Sequence, residues 1–449
     1  MPASPPEQRP PPPPPHFREA LGFWIRLGFI SFGGPAGQIA IMHAELVERR
    51  RWVSEARFLH ALNYCMLLPG PEAQQLATYL GWLLHKTPGG IAAGTLFVLP
   101  SALLLWGLSW AYVAFGSLPW MAGFLYGLKP AVLAIVAASV WRIGSRALKS
   151  RLLWGIAGAA FAALALLNVA FPWVLAGAGL TGLLGGRLWP AAFAQRHTPT
   201  ETAPASALPN GAAEPAAGAR HPRSDPALWD SLRVVATWVA VWWAPLLLAG
   251  LLLGWGHAVF AQGVFFSKAA MLTFGGAYAV LPYVAQQAVD HFHWLTGPQM
   301  LDGLGLAETT PGPLLIVLQF VGFLGGWNQP GSLPPLLAAT LGAFLSTWST
   351  FAPSFLWIFL GAPYIEGLRS HLRLNCVLSA ITAAVVGLIL NLAVWLGLQV
   401  LLPETGRPDW FACGLCALSL WSLLGWKWSV PRLVAAAGLA GIAWRLAFA

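Results

Sequence analysis

Two short helix-breaking motifs occur twice in this 449-residue chain, at identical spacing. The first copy contains Phe32-Gly33-Gly34, Trp52 and Pro69-Gly70-Pro71. The second follows 242 residues later (Phe32 to Phe274), as Phe274-Gly275-Gly276, Trp294 and Pro311-Gly312-Pro313. Glycine and proline both interrupt helices, so each copy breaks two apolar segments near their centres. Paired, interrupted segments in matching positions of two halves are typical of a transporter binding site.

The composition predicts a membrane protein. Hydrophobic residues make up 57% of the chain and charged residues only 9%, against about 25% charged in soluble domains. A bilayer requires about 20 apolar residues for each helical crossing. Thirteen apolar segments approach or exceed that length: 17–42, 58–84, 89–115, 120–141, 152–168, 171–188, 232–256, 263–289, 300–326, 333–361, 374–401, 410–426 and 430–449.

Polar and proline-rich stretches divide the chain. Residues 1–16 form a proline-rich tail without the apolar core of a signal peptide, and we expect it to be disordered. Residues 190–227 are rich in Ala, Pro, Thr and Ser, which predicts a flexible cytoplasmic linker. The predicted membrane units are a first transporter repeat over 17–189, a connecting transmembrane helix over 228–259 and a second repeat over 260–449.

The two repeats are predicted to have opposite orientations. Each repeat contributes six apolar segments, and the unpaired segment 232–256 adds one crossing between them. The loop after the first broken segment carries Arg49, Arg50 and Arg51, whereas the equivalent loop carries Asp290, His291 and His293. Basic loops stay in the cytoplasm. We therefore expect an all-α polytopic membrane protein with two inverted repeats, its N-terminus inside and its C-terminus outside.

The broken segments 17–42 and 58–84 can be built in two ways. If Lys86, Arg142 and the Arg49–Arg51 run all lie inside, neither segment can cross fully, and each is a re-entrant hairpin of two half-helices. About 14 residues precede each turn, which gives roughly 20 Å of helix. The alternative is thirteen full crossings with three arginines outside. We favour the hairpins.

The four breaks predict an anion site. Gly and Pro free backbone N–H groups at membrane depth, and such groups are tolerated only when buried in protein or lining a wet cavity. Each half-helix that starts after a break presents these N–H groups and the positive end of its dipole. The simpler alternative is a set of kinks that only help the helices to pack.

At these residues the chain resembles the chromate ion transporter family in its long, two-domain form. The matching residues lie in both halves: Ser31-Phe32-Gly33-Gly34-Pro35, Glu45, Trp52, Phe58, Leu68-Pro69-Gly70-Pro71, Gly81, Thr273-Phe274-Gly275-Gly276, Leu281-Pro282, Trp294-Leu295-Thr296, Ala307-Glu308, Thr310-Pro311-Gly312-Pro313 and Ala383-Ala384-Val385-Val386-Gly387-Leu388. The region between Asn168 and Pro190 carries no family motif. The resemblance implies a carrier in the bacterial inner membrane that expels chromate, coupled to the proton gradient.

Chromate is a tetrahedral dianion, so its site needs positive charge and N–H donors. Arg26 and Lys268 each precede a Gly-Gly pair by six residues, although both could instead extend to the membrane surface. Lys129 is a weaker candidate. Four polar side chains could donate hydrogen bonds to oxyanion oxygens or could only form hydrogen bonds between helices: Ser31, Gln38, Gln74 and Thr273. The predicted substrate site comprises Arg26, Ser31, Phe32, Gly33, Gly34, Gln38, Pro69, Gly70, Pro71, Gln74, Lys268, Thr273, Phe274, Gly275, Gly276, Pro311, Gly312 and Pro313.

Two carboxylates adjoin the Pro-Gly-Pro motifs. Glu72 follows the first motif and Glu308 precedes the second. Burial penalises the charged form of a carboxylate, so either could exchange a proton, and we predict that they couple transport to protons. Glu308 is the first choice. Glu72 could instead serve only to stabilise the start of its helix.

No motif predicts an enzyme, a cofactor or a metal. Cys65 is assigned to packing, and the Cys413-x-x-Cys416 pair lies within an apolar segment without other ligands nearby. The expected partners are chromate, protons and the lipid bilayer, without nucleic acid, and a homodimer is left open. The alternatives are a carrier of sulfate or a related oxyanion, or an oxyanion channel on the same broken helices.

Overall fold

The computed structural model describes residues 15–116, 118–167, 169–188, 228–274, 276–362, 372–402 and 407–448. The described residues form helices and connecting turns without strands. The linker at 190–227, nearly all of the proline-rich tail and Gly275 lie outside the described residues. In the first half the helices are α1 (Phe17–Ile30), α2 (Gly34–His43), α3 (Glu55–Cys65), α4 (Glu72–Phe115), α5 (Pro119–Ala147), α6 (Arg151–Ala165) and α7 (Phe171–Leu188).

Helix α8 (Leu228–Leu253) connects this half to the second. There the helices are α9 (Ala258–Met271), α10 (Ala277–Gln286), α11 (Gly297–Thr309), α12 (Val317–Asn328), α13 (Pro335–Gly361), α14 (Leu372–Leu401), α15 (Trp410–Leu424) and α16 (Val430–Phe448). Both α2 and α10 end in a π-helical turn, at Ala44–Arg49 and Gln287–His291. These two turns occupy the same position of the sequence repeat.

The membrane assignment is confirmed. Six helices of the described chain are long and apolar enough to cross a bilayer: α4, α5, α8, α13, α14 and α16. Only 17% of the most apolar stretch of α8 is buried within the protein, and large side chains such as Trp141, Trp154 and Trp173 are exposed on other helices. Apolar surface of this extent needs a lipid environment. The protein is therefore an all-α, multi-pass integral membrane protein.

The first broken segment reverses direction. Arg50, just beyond α2 and its π-helical turn, pairs with Glu19 near the start of α1 at 3.6 Å and lies over the ring of Phe23. The two ends of this unit are therefore together, and the turn at Gly33-Gly34 is its tip. Burial alone would raise the pKa of Glu45, but hydrogen bonds and charges from Arg49 and Arg50 hold that pKa below its usual value.

The second broken segment also returns to its starting side. Helix α4 is interrupted at His85 and Lys86, whose backbone angles are not helical. His85 Nε2 lies 2.8 Å from the carbonyl oxygen of Pro15, and its ring packs on Phe17. The first arm of α4 (72–84) thus ends beside the start of α1. Together with α3 it forms a hairpin whose tip is Pro69-Gly70-Pro71.

The second half repeats both hairpins. Trp294, beyond the π-helical turn of α10, packs against Phe265 and Phe266 of α9. His257 Nε2, at the start of α9, lies 3.2 Å from the carbonyl oxygen of Pro330, just beyond α12. Helices α9–α10 and α11–α12 therefore form hairpins with tips at Gly276 and Gly312.

The second arm of α4 (87–115) contacts hairpins from both halves. Its start packs against the first half, where Gly89 and Gly81 approach closely. Further along, its Ala102 carbonyl accepts a hydrogen bond from Gln319 of α12, and Tyr112 hydrogen-bonds Asp302 of α11. The hairpins of the two halves thus approach α4 from opposite ends, and their tips meet near its centre.

The last two helices of each half pack against a helix of the other half. Helices α6 and α7 pack on α14, and their repeat counterparts α15 and α16 pack on α5. Gly182 of α7, for example, lies against Val377 of α14, and Gly127 of α5 lies against Gly441 of α16. Small residues let such helices approach closely in a membrane. The halves are therefore interlocked and form one body.

Candidate functional site

The four hairpin tips interlock in two pairs that cross between the halves. The backbone N–H of Gly312 donates to the carbonyl oxygen of Ser31 at 2.7 Å. At the equivalent position of the other pair, the N–H of Gly70 donates to the carbonyl oxygen of Thr273 at 2.8 Å. Because Thr273 is the repeat counterpart of Ser31 and Gly312 that of Gly70, the two contacts are related by the internal repeat.

A helix begins directly after each tip. These helices start at Gly34, Glu72, Ala277 and, through a 3₁₀ turn, Leu314. The backbone there requires glycine, since φ is +93° at Gly33, +122° at Gly70, +102° at Gly276 and +109° at Gly312. The breaks occur where the sequence predicted them.

None of these four helix starts is capped by a side chain. At the hairpin bases, the start of α1 is also uncapped, but other helix starts are capped by side chains. Ser54 caps α3, and Thr296 with Gln299 forms a full capping box on α11. Uncapped N–H groups at a helix start attract anions, because they are unpaired donors at the positive end of the helix dipole. The tips thus bring four such helix starts together.

Space beside the tip glycines differs between the two motifs. A methyl group added at Gly34 or Gly276 would meet no atom within 4 Å, so the Gly-Gly tips border open volume. An added methyl at Gly70 would lie 2.8 Å from the Gln75 amide, and one at Gly312 would lie 2.5 Å from the Ser101 hydroxyl. The Pro-Gly-Pro tips are therefore tightly packed.

The predicted hydroxyl donors are already engaged. Ser31 Oγ donates to the Leu27 carbonyl at 2.6 Å, and Thr273 Oγ1 donates to the Ala269 carbonyl at 2.8 Å. Each bond runs four residues back within its own helix. These hydroxyls keep a lone pair but have no free proton for an oxyanion.

The buried glutamines are only partly satisfied. Gln38 donates through Nε2 to the carbonyl oxygens of Gly312 and Ser31, while its Oε1 has no partner. Gln74 is fully buried, and neither its amide nitrogen nor its oxygen has a partner in the described chain. Gln75, which the sequence reading missed, donates to the Pro69 carbonyl at 2.7 Å and leaves its oxygen unpaired. Its position next to Gln74 in the sequence could have identified it as a candidate.

Both predicted basic residues are exposed. Arg26 and Lys268 have exposed side chains on α1 and α9, and neither forms an ion pair within the described residues. Residues next to these positions are buried, Leu27 in α1 and Ala269 in α9. At the tips, the donors identified in the described chain are backbone N–H groups and buried amides.

The two carboxylates differ in their surroundings. Glu308 Oε1 accepts a hydrogen bond from the Tyr278 hydroxyl at 2.8 Å, and Arg142 of α5 acts on both groups through its charge. Glu72 is the first residue of α4 and makes no hydrogen bond or ion pair through its side chain within the described residues. Glu308 is thus connected to α10 and α5, whereas Glu72 is next to a tip and unpaired.

A buried ion pair is the main feature that the sequence reading missed. Lys129 Nζ lies 3.5 Å from Asp302 Oδ1, and Tyr112 donates to Asp302 Oδ2 at 3.0 Å. Asp302 is near the start of the apolar segment 300–326, where a carboxylate resembles an interfacial residue. Its burial became visible only in the folded chain. No group of three or more potential metal ligands occurs in the described ranges.

Comparisons with known proteins agree with this architecture. The profile of a family described as chromate transporter matches residues 18–183 and 260–442, which include both repeats. The chain is 30% identical to a chromate transport protein of Cupriavidus metallidurans, over 95% of this chain and 92% of that protein. It is 33% identical to a chromate transport protein of Pseudomonas aeruginosa, over 93% of this chain and 90% of that protein.

A shorter relative matches only part of the chain. An uncharacterised transporter of Bacillus subtilis is 29% identical over 133 residues, which cover 30% of this chain and 68% of that protein. No solved structure matches the chain.

Proposed function

This chain belongs to the chromate transporter family, and we propose that it exports chromate across the bacterial inner membrane as a secondary carrier coupled to the proton gradient. The named relatives are transport proteins, and a carrier rather than an enzyme accounts for the family, the membrane helices and the paired hairpins together. The repeats are inverted, with the N-terminus in the cytoplasm and the C-terminus in the periplasm.

The observation that carries this proposal is the meeting of uncapped helix starts at the crossed tips. Chromate offers four oxygens and two negative charges. Gly34 and Gly276 border open volume, and backbone N–H groups of the helix starts at these tips can bind such oxygens without a positively charged side chain. The unpaired amide of Gln74 supplies further donors at the same depth. Discontinuous helices around a central site are typical of secondary transporters.

Opposed hairpins provide access to this site from two sides. The first-half hairpins have their bases near Arg50 and His85, and the second-half hairpins near His257 and Trp294. The arginine-rich base belongs in the cytoplasm. Chromate enters from that base and leaves towards the base near His257. Rocking of one repeat against the other exposes the tips to each side in turn.

Protons couple to this movement through carboxylates beside the tips. Glu308 receives a hydrogen bond from Tyr278, which is two residues beyond Gly276. A protonated Glu308 tolerates the dianion, whereas an ionised one repels it. Glu72 directly follows the first-half Pro-Gly-Pro tip and is the second coupling candidate.

The proposal is tested by uptake of labelled chromate and labelled sulfate into inverted membrane vesicles, with and without an imposed proton gradient. We expect saturable chromate uptake that accelerates with the gradient and continues against the chromate concentration. Preference for sulfate would assign the same site to a sulfate carrier. Flux that neither saturates nor proceeds uphill would identify a channel and overturn the carrier mechanism.

A further inference from the structure

A buried charged cluster joins the two repeats away from the tips. Asp302 of α11 lies between Lys129 of α5 and Tyr112 of α4. Asp302 is only 5% exposed, and the Lys129 side chain is 27% exposed. The carboxylate therefore lies inside the protein, while the ammonium group keeps some contact with the surroundings. Ionisable groups at membrane depth are costly to bury and are functional by default.

The carboxylate is incompletely satisfied. Asp302 Oδ2 accepts the Tyr112 hydroxyl at 3.0 Å. Asp302 Oδ1 has no hydrogen-bond partner in the described chain, and its only favourable contact is the ammonium group of Lys129 at 3.5 Å. A buried carboxylate oxygen with one long ionic contact can accept a proton, because protonation removes a charge that the protein solvates poorly.

The cluster connects a hairpin to the rest of the protein. Asp302 lies ten residues before Gly312, and the part of α11 between Asp302 and its end at Thr309 spans roughly 10 Å. One helical turn away, a methyl group added at Gly305 would lie 2.6 Å from Leu128, the neighbour of Lys129. Phe320 of α12 packs edge-to-face on Tyr112. Both helices of this hairpin thus dock where the charges meet.

We propose that Asp302 is a proton-binding site of the carrier and that its ion pair with Lys129 locks the α11–α12 hairpin onto α5 until the proton arrives. A proton from the aqueous phase forms an O–H bond on Asp302 and cancels its charge. Lys129 then loses its counter-ion, and the hairpin is released from α5. The part of this proposal that concerns transport rests on the proposed function.

The response to pH is attributable to few groups. Among the described residues, Lys129 from α5 and Tyr112 from α4 are the titratable groups that act on Asp302. Neither the tip carboxylates nor the arginine cluster near Glu45 takes part in this contact. The lock is therefore a proton site distinct from Glu308 and Glu72.

The first test needs no substrate. Cysteines replace Leu128 and Gly305 in a background without Cys65, Cys376, Cys413 and Cys416, and cross-linking is measured in membranes at about pH 8 and about pH 5.5. We expect cross-linking to fall at least about threefold at the lower pH, because protonated Asp302 releases α11. The same cysteines with Asp302→Asn and Lys129→Gln together provide the matched control for thiol chemistry, and there the pH effect should disappear. An equal pH effect with and without the charged pair overturns the lock.

The second test measures chromate flux in vesicles. Removing one partner leaves an uncompensated buried charge, so Lys129→Gln alone can fail to fold. The double variant Asp302→Asn/Lys129→Gln removes both charges and should stay folded. A proton gradient accelerates chromate flux by some factor in the unmodified protein. We expect that factor to be at least about tenfold smaller in the double variant. Asp409→Asn is the control. Asp409 also accepts a hydrogen bond from a tyrosine of the other half, Tyr126, but it has no lysine partner within the described residues.

The outcomes separate the lock from the proposed function. A pH-dependent cross-link in a protein that does not move chromate would retain the lock and refute the substrate. Gradient-driven chromate export that is unchanged in the double variant would retain the function and overturn the lock. Chromate flux through the cross-linked protein at the rate of the reduced protein would also overturn it, because α11 and α5 would not need to separate.

Discussion

Ser101 and Ser354 occupy equivalent positions in the two repeats, and each lies against the central glycine of the other repeat's Pro-Gly-Pro. A methyl group added at Gly312 would lie 2.5 Å from Ser101 Oγ, and one added at Gly70 would lie 3.2 Å from Ser354 Oγ. Together with the crossed backbone hydrogen bonds at Ser31 and Thr273, these contacts attach each tip to the opposite half. Each tip is therefore held by the repeat to which it does not belong.

The glycines should separate into two classes. Gly34→Leu and Gly276→Leu have open volume for the side chain but positive φ, so strain should cost about 1–3 kcal/mol of stability. We expect protein that still inserts into the membrane but no chromate transport, because the side chain fills the site. Gly312→Ala adds a steric clash with Ser101 to the same backbone strain and should lower stability by about 1–3 kcal/mol more. Thermal melting and flux distinguish the classes. Gly155→Leu, on α6 with open space and without positive φ, is the control, and equal effects in all variants would contradict the assignment.

The basic pair is tested by neutralisation. Arg26→Gln and Lys268→Gln should each weaken chromate transport severely if the exposed side chains reach the dianion as it approaches, since a lost charge contact costs about 2–5 kcal/mol. Saturation curves for chromate give the measurement. Lys149→Gln removes an exposed charge outside the hairpins and should have little effect. Normal chromate resistance in cells that express either Arg26→Gln or Lys268→Gln would assign these two residues to the membrane surface.

The carboxylates are tested by removing their titration. Glu308→Gln can still accept the Tyr278 hydrogen bond, so we expect chromate binding to persist while the acceleration by a proton gradient is lost. Binding is measured by protection from heat denaturation and coupling by flux with and without the gradient. If Glu308→Gln still accelerates with the gradient, Glu308 is not the coupling residue. The same result for Glu72→Gln would exclude proton coupling at both tip carboxylates.

The orientation of the repeats is tested with single cysteines. Arg49 is 68% exposed in its side chain, and His293 lies on the equivalent loop of the second half. Arg49→Cys should react with an impermeant thiol reagent only from the cytoplasmic side and His293→Cys only from the periplasmic side, in a cysteine-free background. Reaction of both from one side would refute inverted repeats. Reaction from the opposite sides to those expected would retain the inverted repeats but reverse the proposed orientation of the protein in the membrane.

The sequence alone determined where the helices break and that the breaks are repeated. Positive φ at Gly33, Gly70, Gly276 and Gly312 is a local requirement that only glycine meets easily, and proline removes a helix hydrogen bond at its own position. Apolar length is equally local, so the membrane class also followed from the residues. Such properties can be predicted from the sequence without knowledge of contacts between distant residues.

Tertiary structure alone decided which groups meet. Gly312 bonds Ser31, Tyr278 bonds Glu308 and Lys129 pairs with Asp302, and each pair joins separate helices. Whether a side chain faces a neighbouring helix or the exterior depends on how its helix is rotated within the packed bundle, which no local pattern specifies. For that reason the exposure of Arg26 and Lys268 and the burial of Asp302, which the sequence did not single out, became known only from the folded chain.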